Sequence, residues 1–122
     1  MVKTALIVDD TEPNRLLLGA IISRLGINVE YAEDGDSAVE QFSQSSPDIV
    51  IIDQIMPNKN GSDALKQMKL IRQDFTSILM SSLARSSEIA SIMRDCGADE
   101  FLTKPISSTQ IADVLKKYHH ID

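Results

Sequence analysis

Ala5-Leu6-Ile7-Val8-Asp9-Asp10 and Ile49-Val50-Ile51-Ile52-Asp53 are two short apolar runs that end abruptly in carboxylates. A sheet interior gives no reason to finish a strand in acid, so three aspartates at strand ends point to a site. If the two strands are parallel neighbours, all three carboxylates converge at one edge of the sheet. A like-charge pair at contact costs about 1 kcal/mol in water and roughly 4 kcal/mol in a partly desolvated crevice. Such a cluster needs a cation, and its hard oxygen donors suit a divalent, oxygen-loving one.

Outward from these runs, strand-like and helix-like segments alternate along the whole chain, without linker, repeat or low-complexity tract. The first strand is Ala5 to Val8. A helix follows, with Thr11 or Glu12 as its cap, Pro13 in its first turn and Gly26 past its end. Ile27 to Ala32 alternates apolar and polar residues, as an edge strand does. A short helix spans about Ser37 to Ser43, and Pro47 closes the loop after it. Ile49 to Ile52 is apolar throughout and therefore central. A third helix, Ser62 to Arg72, carries Ala64, Leu65, Met68 and Ile71 at helical spacing. The fourth strand, Ile78 to Met80, ends in Ser81-Ser82. The fourth helix starts at Ser86 or Ser87, buries Ile89, Ile92, Met93 and Cys96, and stops at Gly97. The fifth strand, Phe101 to Thr103, is followed by Lys104-Pro105. The last helix opens with Ser107 and Gln110 in capping-box spacing and buries Ile111, Val114, Leu115 and Tyr118. Five strand–helix units in one short chain describe an open, doubly wound parallel α/β sheet. Ligands of such sheets bind outside the carboxyl ends of the strands.

Composition narrows the partners. The 122 residues suit one domain, residues 1–122, with a core of its own. Lys and Arg number 12 against 18 Asp and Glu, a formal charge of −6, which argues against nucleic acid and anionic membranes as direct partners. The lone Cys96 permits no internal disulfide and fits a reducing compartment. The apolar stretch after Lys3 meets Asp9 after only four residues, too soon for a secretory signal, and no run is long enough to span a bilayer. A cytoplasmic protein is expected.

Four strand ends now contribute chemistry: Asp9 with Asp10, Asp53, Ser82 and Lys104. Carboxylates suit Mg²⁺, which keeps several waters for a phosphoryl substrate. An aspartate beside that ion can act as a nucleophile and form an acyl phosphate. An ammonium and a hydroxyl are what a transferring phosphoryl group needs at its equatorial oxygens. Each residue also has an ordinary reading. Asp9 or Asp10 could cap the first helix, Lys104 could be a solvated turn residue, and Ser81 and Ser82 could be plain loop. Asp53 has less excuse, since Ile55-Met56-Pro57 keeps it from capping anything nearby. Their joint placement favours phosphoryl transfer onto an aspartate.

The chain resembles the receiver domains of two-component response regulators over essentially its whole length. Val8-Asp9-Asp10, Asp53 with Met56-Pro57 and Gly61, Ser82, Lys104-Pro105, Ala32-Glu33-Asp34-Gly35 and Cys96-Gly97-Ala98-Asp99 carry the likeness. The resemblance implies a flavodoxin-like strand order 2-1-3-4-5. It implies that Asp53 accepts phosphate from a phosphohistidine partner, a sensor histidine kinase or a histidine phosphotransfer protein. Asp9, Asp10, Asp53 and the backbone carbonyl of Ile55 would hold Mg²⁺, with Mn²⁺ as a substitute. Ser82 and Lys104 would bind the phosphoryl oxygens, and the Lys104-Pro105 bond would be cis. On phosphorylation Ser82 would move to the phosphoryl group and Phe101 would rotate inward. The face of the fourth helix, fifth strand and fifth helix would then change shape for a downstream protein effector. No output domain is expected, so the chain would be a stand-alone regulator or the receiver of a hybrid kinase. Asn14-Arg15 is reminiscent of the latter.

Several positions depart from the family pattern. Leu83 replaces a small Ala beside the site, and Lys59-Asn60 replaces Met-Asp in the loop, a change expected to be neutral. Neither Ile55 nor Ala84 can orient an attacking water, so the phosphoform is expected to be long-lived, with weak autodephosphorylation at most and no turnover as an enzyme. The first helix carries Leu16, Leu17, Leu18, Ala20, Ile21, Ile22 and Leu25 on more than one face. It is either a central helix covered by neighbours or, as the resemblance implies, a docking face for the phosphodonor through Leu17 and Ile21. His119 and His120 are expected to be solvated tail residues, and Cys96 a buried, inert thiol.

Three rival classes differ at named positions. An aspartate-nucleophile phosphatase would carry its nucleophile at the end of the first strand, a second Asp two residues later and a cap domain. A flavodoxin-like electron carrier would not put two carboxylates where a flavin phosphate must sit. A non-phosphorylated, receiver-like protein-binding module is the closest rival, but would typically have lost one of the acidic, hydroxyl or lysine positions.

Overall fold

A computed structural model describes residues 2–82 and 87–122. Five strands, β1 (Thr4–Val8), β2 (Asn28–Ala32), β3 (Ile49–Asp53), β4 (Thr76–Ser81) and β5 (Glu100–Thr103), alternate with five helices. The helices are α1 (Glu12–Ser23), α2 (Gly35–Ser45), α3 (Gly61–Ile71), α4 (Ser87–Cys96) and α5 (Ser108–Lys117). All strands pair in parallel in the order β2-β1-β3-β4-β5, the doubly wound arrangement expected from the sequence.

Alternation along the central strands divides the core into two layers. Leu6, Val8, Val50, Ile52 and Leu79 face α2, α3 and α4, where Phe42, Leu65, Met68 and Cys96 complete a layer. Ala5, Ile7, Ile49, Ile51, Ile78 and Met80 face the other way, onto Leu18 and Ile22 of α1 and Ile111, Val114 and Leu115 of α5. Because both faces are covered, β3 is buried at every position and reads as a continuous apolar run.

Local chemistry sets the helix ends. Ser107 and Gln110 form the expected capping box on α5. Asp34 accepts the Ser37 N–H and starts α2 two residues before the helix read from apolar spacing alone. β4 begins two residues earlier than its apolar stretch. Thr76 and Ser77 are polar yet buried, and the Asp99 carboxylate takes both the N–H and the hydroxyl of Ser77, at 2.8 and 3.2 Å. Cys96 is buried as expected, and burial pushes its thiol pKa up.

The last residues depart from expectation. His120 is not a solvated tail residue: the chain turns back at His119, which adopts φ 65°, and half-buries the His120 ring. Its Nε2 lies 2.8 Å from Thr76 Oγ1, and its N–H donates to the Leu115 carbonyl. Burial is the main cause of a lowered His120 pKa, with Lys3 and His119 adding to it and Asp48 opposing.

Candidate functional site

Register assembles the site. Val8 pairs with Ile52, so Asp9 and Asp53 follow side by side, while Ser81 pairs with Thr103, so Ser82 and Lys104 leave the sheet together. Asp9, Asp10 and Asp53 each offer a carboxylate oxygen, all within 4.8 Å of one another. Asp9 and Asp53 are buried; Asp10 is exposed. The Lys104 ammonium reaches both buried acids, 2.7 Å from Asp9 Oδ2 and 2.7 Å from Asp53 Oδ2. The Lys104-Pro105 bond is cis.

The two buried acids differ in what holds them. Asp9 is opposed by burial, but the Lys104 bond and two from Thr11, at 2.9 Å from N–H and 2.7 Å from hydroxyl, outweigh it and lower its pKa. Asp9 therefore caps nothing by itself; it holds the turn at Thr11, whose own side chain makes no capping bond. Arg15 of α1 donates to the Asp9 carbonyl at 2.7 Å. For Asp53, burial dominates over the Lys104 bond, and its pKa is raised. Among the described residues its backbone donor is Ile55 N–H, at 3.3 Å. Burial works against the Lys104 charge too, but its two carboxylate partners hold its pKa above the ordinary value. Of the two buried acids, Asp53 is thus the less stabilised as an anion. Hard carboxylate oxygens at this spacing suit Mg²⁺, so the donor set fits the ion the fold implies.

A cavity of about 320 Å³ opens from the site between α1 and the loop after β5, lined among others by Asp9, Leu17, Met80, Ser82, Lys104 and Ile106. Ser82 is exposed at its mouth, within reach of solvent. Leu16 and Leu17 are 53% and 60% exposed, so α1 is not a helix covered by its neighbours; only Leu18 and Ile22 of its large apolar residues are fully buried. Phe101 is buried. Leu83 and Ala84 lie outside the described residues, as does the start of the fourth helix at Ser86.

Two arrangements escaped the sequence reading. Lys59, expected to be neutral, bridges Asp36 at the start of α2 (2.8 Å) and Gln67 of α3 (2.6 Å), with its stem filling the space beside Gly35. Gln54 and Ser62 form a buried polar pair next to Asp53. The signal for the pair was a glutamine immediately after the acid that ends a central, otherwise apolar strand, where solvation cannot satisfy it.

Comparison with known proteins agrees with this geometry. The family model of the response regulator receiver domain matches residues 5–116. The chemotaxis protein CheY of Thermotoga maritima is 34% identical over 118 residues, spanning 96% of this chain and 98% of that protein. Hybrid signal transduction histidine kinase E of Dictyostelium discoideum is 33% identical over 121 residues, 95% of this chain but 7% of the kinase. The response regulator domain of Thermotoga maritima CheB superposes with a TM-score of 0.85 at 30% identity, covering 100% of this chain and 99% of that one. A CheY-like receiver domain from Methanospirillum hungatei reaches a TM-score of 0.90 at 22% identity, with 97% and 94% coverage, a likeness of fold.

Proposed function

The chain belongs to the response regulator receiver family, and from that premise we propose that Asp53 accepts a phosphoryl group from a phosphohistidine of a sensor kinase or phosphotransfer protein. A carboxylate oxygen of Asp53 attacks phosphorus; the new P–O bond forms as the P–N bond breaks, and the departing imidazole takes up a proton from solvent. Asp53 suits this role because burial leaves it the less stabilised of the two buried anions. Lys104, now bonded to Asp53, and Ser82, at the cavity mouth, are positioned to take the equatorial phosphoryl oxygens. Asp9, Asp10, Asp53 and the Ile55 carbonyl would hold Mg²⁺, or Mn²⁺ in its place, which when bound supplies neutralisation of the phosphoryl charge. The chain activates itself for this single transfer and is not a turnover enzyme.

The observation that carries the reading is the Lys104 ammonium held 2.7 Å from each of two buried acids, with a third carboxylate beside them. A purely protein-binding relative has no use for it. Incubation with Mg²⁺ and a small phosphodonor tests it: the intact mass gains one phosphoryl group, and Asp53→Asn gains none. Equal modification of the variant, or an unmodified wild type, would leave the protein-binding module as the better reading. Followed in time, the modified form is expected to persist for minutes, because the Ile55 side chain cannot orient water; loss within seconds would refute the slow release.

Receiver domains work between histidine kinases and downstream effectors. The exposed Leu17, with half-buried Ile21 behind it, borders the cavity that leads to Asp53 and is the docking face we favour for the phosphodonor. Leu17→Ala should slow transfer from the donor protein while leaving modification by the small phosphodonor unchanged. The signal would leave through α4, β5 and α5, with Phe101 and Ser82 as the moving parts. Among the described residues no helix is long and apolar enough to cross a membrane; with the unpaired, buried Cys96, we favour the cytoplasm.

A further inference from the structure

We propose that Gln54 is the positioning residue of the metal site, acting through the backbone on either side of it. It lies between Asp53, whose carboxylate faces the site, and Ile55, whose carbonyl is taken above as a ligand; the inference rests on that reading. All four polar groups of Gln54 are engaged. Its N–H donates to the Met80 carbonyl at 2.8 Å, and its own carbonyl accepts from Gly61 N–H at 3.0 Å. Its side-chain Oε1 accepts from Ser62 N–H at 2.8 Å, and Nε2 donates to Ser62 Oγ at 3.0 Å. Both side chains are buried.

The pair replaces an ordinary helix cap. Asn60 occupies the N-cap of α3 but makes no side-chain capping bond, so Gln54 reaches over from the end of β3 to satisfy an N–H that the helix leaves orphaned. The loop from 55 to 60 is thereby closed at its base on both main chain and side chain. Gly61 completes the closure: a Cβ there would stand 2.2 Å from the Asp53 carbonyl oxygen, so only glycine allows the approach. A buried polar pair with every group satisfied is rigid, because each alternative conformation strands a donor or acceptor away from water. That rigidity fixes the direction in which the Asp53 side chain and the Ile55 carbonyl leave the backbone.

Titration with MgCl₂ alone, followed calorimetrically, tests the assignment. Gln54→Leu should weaken Mg²⁺ binding about 10-fold, in the range lost when groups supporting metal ligands are removed, and lower the unfolding midpoint. Gln54→Leu with Ser62→Ala, which removes both side-chain partners, should regain part of that stability but not the affinity. If Gln54→Leu loses stability while binding Mg²⁺ as tightly as wild type, the role is structural and the proposal fails. It fails equally if the double variant regains affinity together with stability. A wild-type chain that takes up no Mg²⁺ would instead overturn the metal reading itself, and this inference with it.

Discussion

The two edges of the sheet carry the same kinds of residue and use them in opposite ways. At the amino edge, Asp48 accepts the Thr4 N–H at 2.9 Å, Asp99 accepts the N–H and hydroxyl of Ser77, and His120 meets the Thr76 hydroxyl. Each acid there is spent on backbone donors of a neighbouring strand. At the carboxyl edge, Asp9, Asp10 and Asp53 face one another, and a single ammonium serves two of them. Carboxylates satisfied by main-chain N–H groups stitch strands together. Among the carboxylates left facing each other, Asp53 is the one whose burial as an anion works against the fold, and it is left available for chemistry.

Exchanging one acid from each edge breaks the comparison most sharply. Asp53→Asn should abolish phosphoryl uptake and raise the stability of the metal-free chain at pH 7, measured by denaturant unfolding. The sign follows from the raised Asp53 pKa: the folded state holds that proton more tightly than the unfolded chain, so ionisation subtracts stability as pH rises above 3.8, the ordinary carboxyl value. Asp48→Ala should do the reverse, keeping phosphoryl uptake while costing about 1 kcal/mol for the lost bond to Thr4. Next, Mg²⁺ at ten times its dissociation constant should add about 1.4 kcal/mol to wild-type stability. Asp48→Ala should keep that increment and Asp9→Asn should lose most of it, as thermal unfolding with and without the ion will show.

The smallest effect belongs to His120. Its folded pKa is lowered, so the unfolded chain binds more protons, and the stability its neutral ring contributes is present above 6.5 and lost as pH falls from there through the lowered folded value. Unfolding free energies of wild type and His120→Gln between pH 5 and 8 should diverge only at the acidic end, with the variant less pH-sensitive. Parallel curves would return His120 to the solvated tail.

Much of this was legible in the sequence because it rests on local pattern. Five alternating segments, the Ser107–Gln110 box and the acid-tipped strands are all visible within a few residues. So is the site, since parallel strands must deliver their terminal side chains to one edge. What escaped depends on partners far along the chain. His120 is half-buried by contact with Thr76, 44 residues away, and nothing in a terminal His-His pair signals that. Thr76 and Ser77 look like loop until residues far along the chain satisfy them, His120 for the Thr76 hydroxyl and Asp99 for Ser77. The exposure of Leu16 and Leu17 was likewise undecided, because an apolar helix face does not reveal whether another element will cover it.

Lys104 has a consequence for kinetics. With one ammonium among three carboxylates, acid groups outnumber the lysine at this edge, on a chain that is itself acidic. Anionic phosphate compounds diffusing towards Asp53 therefore meet a repulsive field, strongest at low ionic strength. A divalent ion held there, as proposed above, would cancel that field, so the side chains that would bind the cation would also set which encounters succeed. Stray anionic metabolites would be slowed at the approach, whereas a protein donor docking on α1, as proposed above, would gain its proximity from apolar contact and would not depend on the long-range field.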